Sequence, residues 1–315
     1  MMIQYQNNRT GASFDVTSLV VSAKWTTTRS GSPAKLELSA LKDAAVEWTE
    51  GGIITLQDGE SGLFYGYVFK ISLSQDETVD ITAYDQTRYL KNKETYVFQG
   101  VRADQVLREI AEDFKLKAGD VPNTGYLISY MIFDSKPLFD IILEALDRTL
   151  INSGRMFYLW DDFGALRLSE VTRPAELPVI GEDSLSTGFT YTSSIDGETY
   201  NQIKLVRDNK DTGKRDVYIV KDSNNMALWG TLQAYEKADD GLNEGQIKAQ
   251  AEQMLELYNR PERTLSLSAL ALPGLRAGQI IYARLPAAGV EQSFLVEEVT
   301  HDLLEEDMEL KVRVV

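Results

Sequence analysis

His301 is the only histidine among the 315 residues, and the chain has no cysteine. A zinc site of the HExxH kind needs two histidines one helical turn apart, and thiolate metal sites and disulfides need cysteine, so none of these can be built. A Ser-His-Asp relay would have to use His301 itself. That residue stands in Val299-Thr300-His301-Asp302-Leu303, where an alternating strand ends, and this context predicts a hydrogen-bonded or solvated histidine. The G-x-S-x-G elbow of serine hydrolases is missing.

Carboxylates are the remaining source of chemistry, because a glycosidase needs only two at a suitable separation and the chain carries 48. Asp161-Asp162 falls in a predicted tight turn and Glu305-Glu306-Asp307 in a predicted hairpin tip, where acidic residues are ordinary. Between Glu291 and Glu309 there are eight carboxylates and no Lys or Arg. Such a run suits a solvated hairpin, or a surface facing a basic partner. Asp208 to Gly213 superficially has the look of a calcium loop, but Lys210 and Thr212 stand where that loop needs oxygen ligands, and no Glu follows at its twelfth position. Gly213-Lys214 is followed by Arg215 instead of Ser or Thr, and position 208 is Asp instead of Gly, so it is no phosphate-binding loop. No catalytic, cofactor-binding or metal-binding residue is assigned, and no enzyme activity is expected.

The elements that carry these residues show an internal repeat. Leu36-Glu37-Leu38-Ser39-Ala40-Leu41 returns as Leu265-Ser266-Leu267-Ser268-Ala269-Leu270, and Gly52-Ile53-Ile54 returns as Gly278-Gln279-Ile280-Ile281. The offset changes from 229 to 226, which reads as a small loop difference. A second strand follows in each copy, Tyr65 to Leu73 and Ser293 to Val299, and then an acidic turn and a last alternating strand. Two copies this far apart indicate a duplicated domain, not a solenoid.

Three domains are expected. Residues 1–97 alternate at period two with turn chemistry at Asp58-Gly59-Glu60-Ser61-Gly62. Gly66 inside an aromatic strand predicts a bulge or a close backbone approach that lets a sheet curl toward a small barrel; period alone also fits a plain antiparallel sandwich. Residues 98–172 read as α+β. Helical spacing covers 102–115 and about 137–151, the latter with Ser135 as N-cap and Pro137 in its first turn, and a hairpin closes the domain. Residues 173–315 hold a linker to about 188, a polar hairpin, a helix at 243–260 opened by Asn243 and Gln246, and the second barrel-like unit. The fold class is therefore mainly β with an α+β insertion: two related small β-barrels, a small α+β domain, and a long helix near the second barrel.

Composition bounds the partners. A net charge of −16 argues against gripping phosphates, since nucleic-acid binding needs clustered cations. An acidic wall would suit a conduit through which DNA passes without adhering. The N-terminus lacks a basic and then apolar leader, and no segment reaches the length of a membrane span, so synthesis and folding in the cytoplasm are expected.

This layout resembles the baseplate hub proteins of contractile phage tails and tail-like bacteriocins. The resemblance is carried by Gly52-Ile53-Ile54, Phe64-Tyr65-Gly66-Tyr67-Val68, Ile81-Thr82-Ala83-Tyr84-Asp85, Val106-Leu107-Arg108-Glu109-Ile110-Ala111, Leu228-Trp229-Gly230 and Ala277-Gly278-Gln279-Ile280. It covers nearly the whole chain as loose patterns of layout. It implies a structural homotrimer in a virion tail or tail-like particle, assembled in the bacterial cytoplasm, with two barrels per chain making a pseudo-sixfold ring. The implied partners are the tail tube protein, the central spike protein and other baseplate proteins, with DNA at most passing through the lumen and no membrane bound. Longer family members continue past the second unit, whereas this sequence stops at Val315, so wall-degrading activity is expected of another chain. The alternatives are a cell-wall glycosidase or carbohydrate-binding tail protein, for which 48 acids, four Trp and fifteen Tyr speak, and a secreted β-rich adhesin, which lacks its leader.

Overall fold

Period-two alternation builds the first unit from seven strands, because each strand keeps one apolar face for a shared core. In the computed structural model these are β1 (Met2–Gln6), β2 (Ser13–Asp15), β3 (Val20–Thr28), β4 (Lys35–Leu41), β5 (Ile53–Asp58), β6 (Ser61–Leu73) and β7 (Thr78–Tyr84). The structure describes residues 1–315 apart from 74, 76, 182–183, 210–212, 240 and 315. The middle unit follows as β8 (Lys93–Val101), α1 (Ala103–Asp113), β9 (Ile128–Pro137), α2 (Leu138–Ser153), β10 (Phe157–Asp161) and β11 (Leu166–Glu170). Next come β12 (Val179–Gly181), β13 (Ser186–Ser194), β14 (Gln202–Asn209), β15 (Lys214–Lys221), α3 (Ser223–Trp229), β16 (Gln233–Lys237) and α4 (Glu244–Tyr258). The chain then runs through β17 (Glu262–Leu270), β18 (Ile280–Leu285), β19 (Val290–Asp302) and β20 (Asp307–Val314).

The duplication is present strand by strand. One copy pairs in the order β4-β7-β6-β5 and the other in the order β17-β20-β19-β18, every pair antiparallel. Register repeats as well: Leu36 faces Ala83 and Leu265 faces Val312, so one shift of 229 residues relates both strands of the pair. A bulge at Val68/Lys70 recurs at Val296/Glu298. The preceding strand is duplicated too, since β3 on β4 slips at Val20/Ser22 and β13 on β17 slips at the matching Ser186/Gly188. The copies diverge at the far edge, where β1 joins β5 antiparallel but β12 joins β18 parallel.

The barrel expectation needs correction in its closure. All these strands form one thirteen-stranded sheet, and no ladder among the described residues closes either copy on itself. The edge of β3 is taken up by β19 of the other copy, Thr28 facing Glu298 through Lys24 facing Asp302. An edge engaged there is not free to close its own unit.

Four apolar cores result. Trp25, Leu36, Ile54, Leu56 and Ile81 anchor the first unit, and Leu267, Ile281, Phe294, Val299 and Leu310 the second. The middle unit packs Val106, Leu107 and Ile110 of α1 against Ile141, Ile142 and Ala145 of α2 over β8–β11, a core that begins as early as Leu90. The fourth core lies between the β15-β14-β16 sheet and Ile247, Ala251 and Met254 of α4. Near the second unit, Leu257 and Tyr258 of that helix border a cavity of about 470 Å³ together with Leu295 and Arg313.

Several local expectations change. Ser135 is not the cap of α2: it lies where the β8–β9 register slips and has a positive φ of 51°, the ladder resumes through Lys136 and Pro137, and Pro137 takes the cap position with no side-chain cap bond. The stretch expected as a linker contains β12 and the start of β13. Asn243 and Gln246 do form the reciprocal cap of α4. Gly66 does mark a close approach, since a Cβ there would lie 2.5 Å from the Tyr84 carbonyl oxygen. Residues 210–212 at the polar hairpin tip lie outside the described residues.

Candidate functional site

Gly51 and Gly278, each two residues ahead of its strand, β5 and β18, do the same work. Gly51 N–H donates to the Val68 carbonyl at 2.8 Å, and Gly278 N–H donates to the Val296 carbonyl at 2.8 Å. In return, Val68 N–H donates to Gly52 and Val296 N–H to Gln279. Both glycines have positive φ, +80° and +93°, a region that side-chain-bearing residues avoid. The equivalence of Gly278 is thus with Gly51, one residue earlier than the match with Gly52 that sequence alone suggests. Two side-by-side glycines give equal letter matches, and only the φ requirement separates them.

Where the copies join, the contacts are specific. Thr26 and Thr300 share a hydroxyl hydrogen bond of 2.9 Å. Arg29 Nε lies 2.7 Å from a Glu297 carboxylate oxygen, and Lys24 is paired with Asp302. Trp25 stacks on His301 with ring centroids 5.2 Å apart. His301 is 1% exposed and its Nε2–H donates to the Leu275 carbonyl at 2.8 Å. Burial holds its pKa below the usual histidine value, and neighbouring Arg276 adds to this against the opposing hydrogen bond. A neutral, fully packed imidazole bonded to a backbone carbonyl is a structural strut.

Arg276 is the hub of the same region. Its guanidinium lies 5.3 Å from the Trp25 ring and 4.5 Å from the Trp160 ring, and it donates to the Asp161 carbonyl at 3.2 Å and the Leu63 carbonyl at 3.0 Å. One side chain of the second unit therefore reaches the first unit and the middle unit together. The middle unit also wedges in directly: Phe163 lies against Gly62 and Tyr65, and Tyr158 covers Gly278, where a Cβ would come within 2.3 Å of its ring.

The acidic candidates are accounted for by this packing. Asp161 is buried and accepts from Gln86 Nε2 at 2.7 Å and from Gly164 N–H at 2.7 Å, while Asp162 pairs with Arg167 at 2.6 Å. The second acid near Asp161 is Asp85, which the sequence did not single out as a candidate. Burial, then the charge of Asp161, pushes Asp85 up to about 8, and burial raises Asp161 as well. The space beside them is about 30 Å³, about the volume of one water molecule, so this carboxyl pair has no room for a sugar. In the acidic run, Glu291, Glu297, Glu298 and Asp302 each hold a cation, from Arg284, Arg29 and Arg313, Lys311, and Lys24. Glu305, Glu306 and Asp307 are exposed at the β19–β20 turn. Among the described residues, no group of three or more His, Asp or Glu is placed to hold a metal, and no helix is long and apolar enough to cross a membrane.

A model of the YQBQ-like family matches residues 23–314. The Phage-like element PBSX protein XkdQ of Bacillus subtilis (strain 168) is 33% identical over 258 residues, which cover 81% of this chain and 78% of that protein. The 43 kDa tail protein of prophage MuSo2 from Shewanella oneidensis superposes with a TM-score of 0.72 at 13% identity, over 100% of this chain and 98% of that one. The tail protein from Neisseria meningitidis MC58 gives 0.69 at 10% identity, over 99% and 96%. At those identities the two structures share a fold with this chain.

Proposed function

The chain belongs to the YQBQ-like family, and from that premise we propose that it is a structural tail protein, the baseplate hub of a contractile tail or tail-like particle. Three copies form a ring that joins the tail tube to the central spike, and the chain performs no catalysis. The division into units at 1–97, 98–172 and 173–315 belongs to the same proposal. Its strongest support is the duplication: two copies of one five-strand pattern, matched in order, register and bulge position, give three chains six similar units. Such an array meets a sixfold tube on one side and keeps threefold symmetry for a spike on the other. The middle unit is suited to brace the ring from outside, because its hairpin grips both copies. Native mass spectrometry of the protein, alone and released from particles, is expected to give three times the 35.3 kDa chain mass. A monomer from both sources would sink the reading.

One observation favours a second reading, carbohydrate binding. Tyr65, Tyr67, Tyr89 and Phe163, with Lys115 and Lys117, line an open hollow of about 520 Å³. Aromatic platforms of this kind suit sugar rings, but these rings already pack edge to face on one another. Sedimentation with purified peptidoglycan distinguishes the readings, and the hub assignment expects the protein to stay in the supernatant.

A further inference from the structure

The junction inside the chain uses one edge from each copy, and each copy also holds the matching edge it leaves open. β19 gives residues 298–302 to β3. Their counterparts in the first unit, residues 70–73 of β6, pair with β7 on one side and with no strand on the other among the described residues. The counterpart of β3 is β13, which pairs with β17 on one side and has its second edge open among the described residues. The apolar side chains at these edges are correspondingly uncovered. Leu73, at the position of fully packed His301, is 74% exposed, and Phe189, at the position of fully buried Ala23, is 38% exposed.

We propose that β13 of one chain adds to residues 70–73 of β6 in a second copy of this chain, antiparallel and in the register of the internal junction. Tyr191 then faces Leu73, Thr192 faces Ser72, Ser193 faces Ile71 and Ser194 faces Lys70. The proposal rests on the hub reading and identifies the contact that closes its ring.

Side-chain chemistry agrees with that register. The Thr26–Thr300 hydroxyl bond becomes Thr192 and Ser72, again two hydroxyls. Trp25 over His301 becomes Tyr191 over Leu73. The Arg29–Glu297 ion pair becomes Ile195 beside Phe69, charge for charge replaced by apolar for apolar. Crossed pairings would set Arg29 against Phe69 or Ile195 against Glu297 and give up the Arg29–Glu297 ion pair in either case, which favours keeping internal and external contacts distinct. Open strand edges are templates for such addition. A heterologous contact of this kind repeats around a closed ring or along an open filament.

The chain contains no cysteine, so the register is testable by disulfide. Opposed residues of an antiparallel pair have Cβ atoms about 5 Å apart, close to what a disulfide needs. Under mild oxidation the double variant Ser72→Cys/Thr192→Cys is expected to run as a covalent trimer without reductant, while either single variant runs at chain mass. Thr26→Cys/Thr300→Cys, bonding within one chain, is the control. Monomer alone from the 72/192 variant, with the control bond formed, overturns the proposal, as does an equal yield from Ser72→Cys/Thr190→Cys, two residues out of register on the same face. Leu73→Glu in the 72/192 background is expected to keep the melting curve of the chain and lower the covalent yield at least tenfold; an unchanged yield overturns the proposal. A ladder running past three chains upholds the contact but removes the closed ring. A trimer by mass without the 72–192 bond does the reverse, sinking the contact and leaving the hub reading.

Discussion

At the scale of single residues, the junction stores its polar groups in protonation states that pH can probe. Asp85 is held up to about 8 by burial and by Asp161, against about 3.9 in an unfolded chain. Between those values the folded chain keeps a proton that the unfolded chain has lost. The stability tied to Asp85 is therefore complete below about pH 4 and falls away as pH rises toward 8. His301 works in the opposite sense: its folded pKa is lowered by burial, so its contribution is complete above about pH 6.5 and is lost on acidification. Asp85→Asn keeps an oxygen for the Thr87 N–H and hydroxyl and has no proton to lose. Calorimetry should show the decline in Tm between pH 6.5 and 8 flattened in this variant; an unaltered slope would place the titrating proton elsewhere. The paired glycines give a second contrast. Gly51→Ala meets nothing within 4 Å and should cost about 1 kcal/mol through its positive φ alone. Gly278→Ala has the same backbone demand and also the Tyr158 ring, so about 3 kcal/mol or more is expected. Urea titrations of both variants would show it, and equal losses would mean that Tyr158 moves aside freely.

At the scale of elements, β3 and β13 are the same strand in two situations. β3 is paired on both edges and buries Ala23, Trp25 and Thr27. β13 is paired on one. Amide exchange in the isolated chain should accordingly be slow across Ala23–Thr27 and fast at the outward amides of Phe189–Ser193, with the latter slowed in assembled particles. Persistently fast exchange there after assembly would mean that β13 stays at a free edge. The same comparison explains what the sequence made legible. The repeat was readable because Leu36–Leu41 and Leu265–Leu270 share one binary pattern, and α4 was readable because Asn243 and Gln246 announce its start. The β19–β3 pairing links residues 270 to 278 positions apart, and edge pairing leaves no local pattern, so the sequence predicts two small barrels where the described strands form one continuous sheet. The short elements β12, α3 and β16 escaped for want of length. Asp85 and Arg276 escaped because a charged residue buried between units reads, in sequence, like any surface charge.

At the scale of the whole molecule, one chain carries a duplicated sheet, a middle unit packed against both copies and, among the described residues, two open strand edges. The net charge of −16 is compatible with a lumen that does not hold DNA, while the ion pairs at Glu297, Glu298 and Asp302 show that part of the acidic run is spent inside the fold. Membership of the YQBQ-like family supports the proposed tail role, and the duplication is the observation on which the proposed hub position rests. The most direct test is electron microscopy of the assembled protein, averaged in end-on view. Six similar lobes arranged around a channel, with three outer projections from the middle units, are the predicted result. An average with two-fold or no rotational symmetry, or three lobes in which the two copies of each chain do not take equivalent places around the axis, would contradict it.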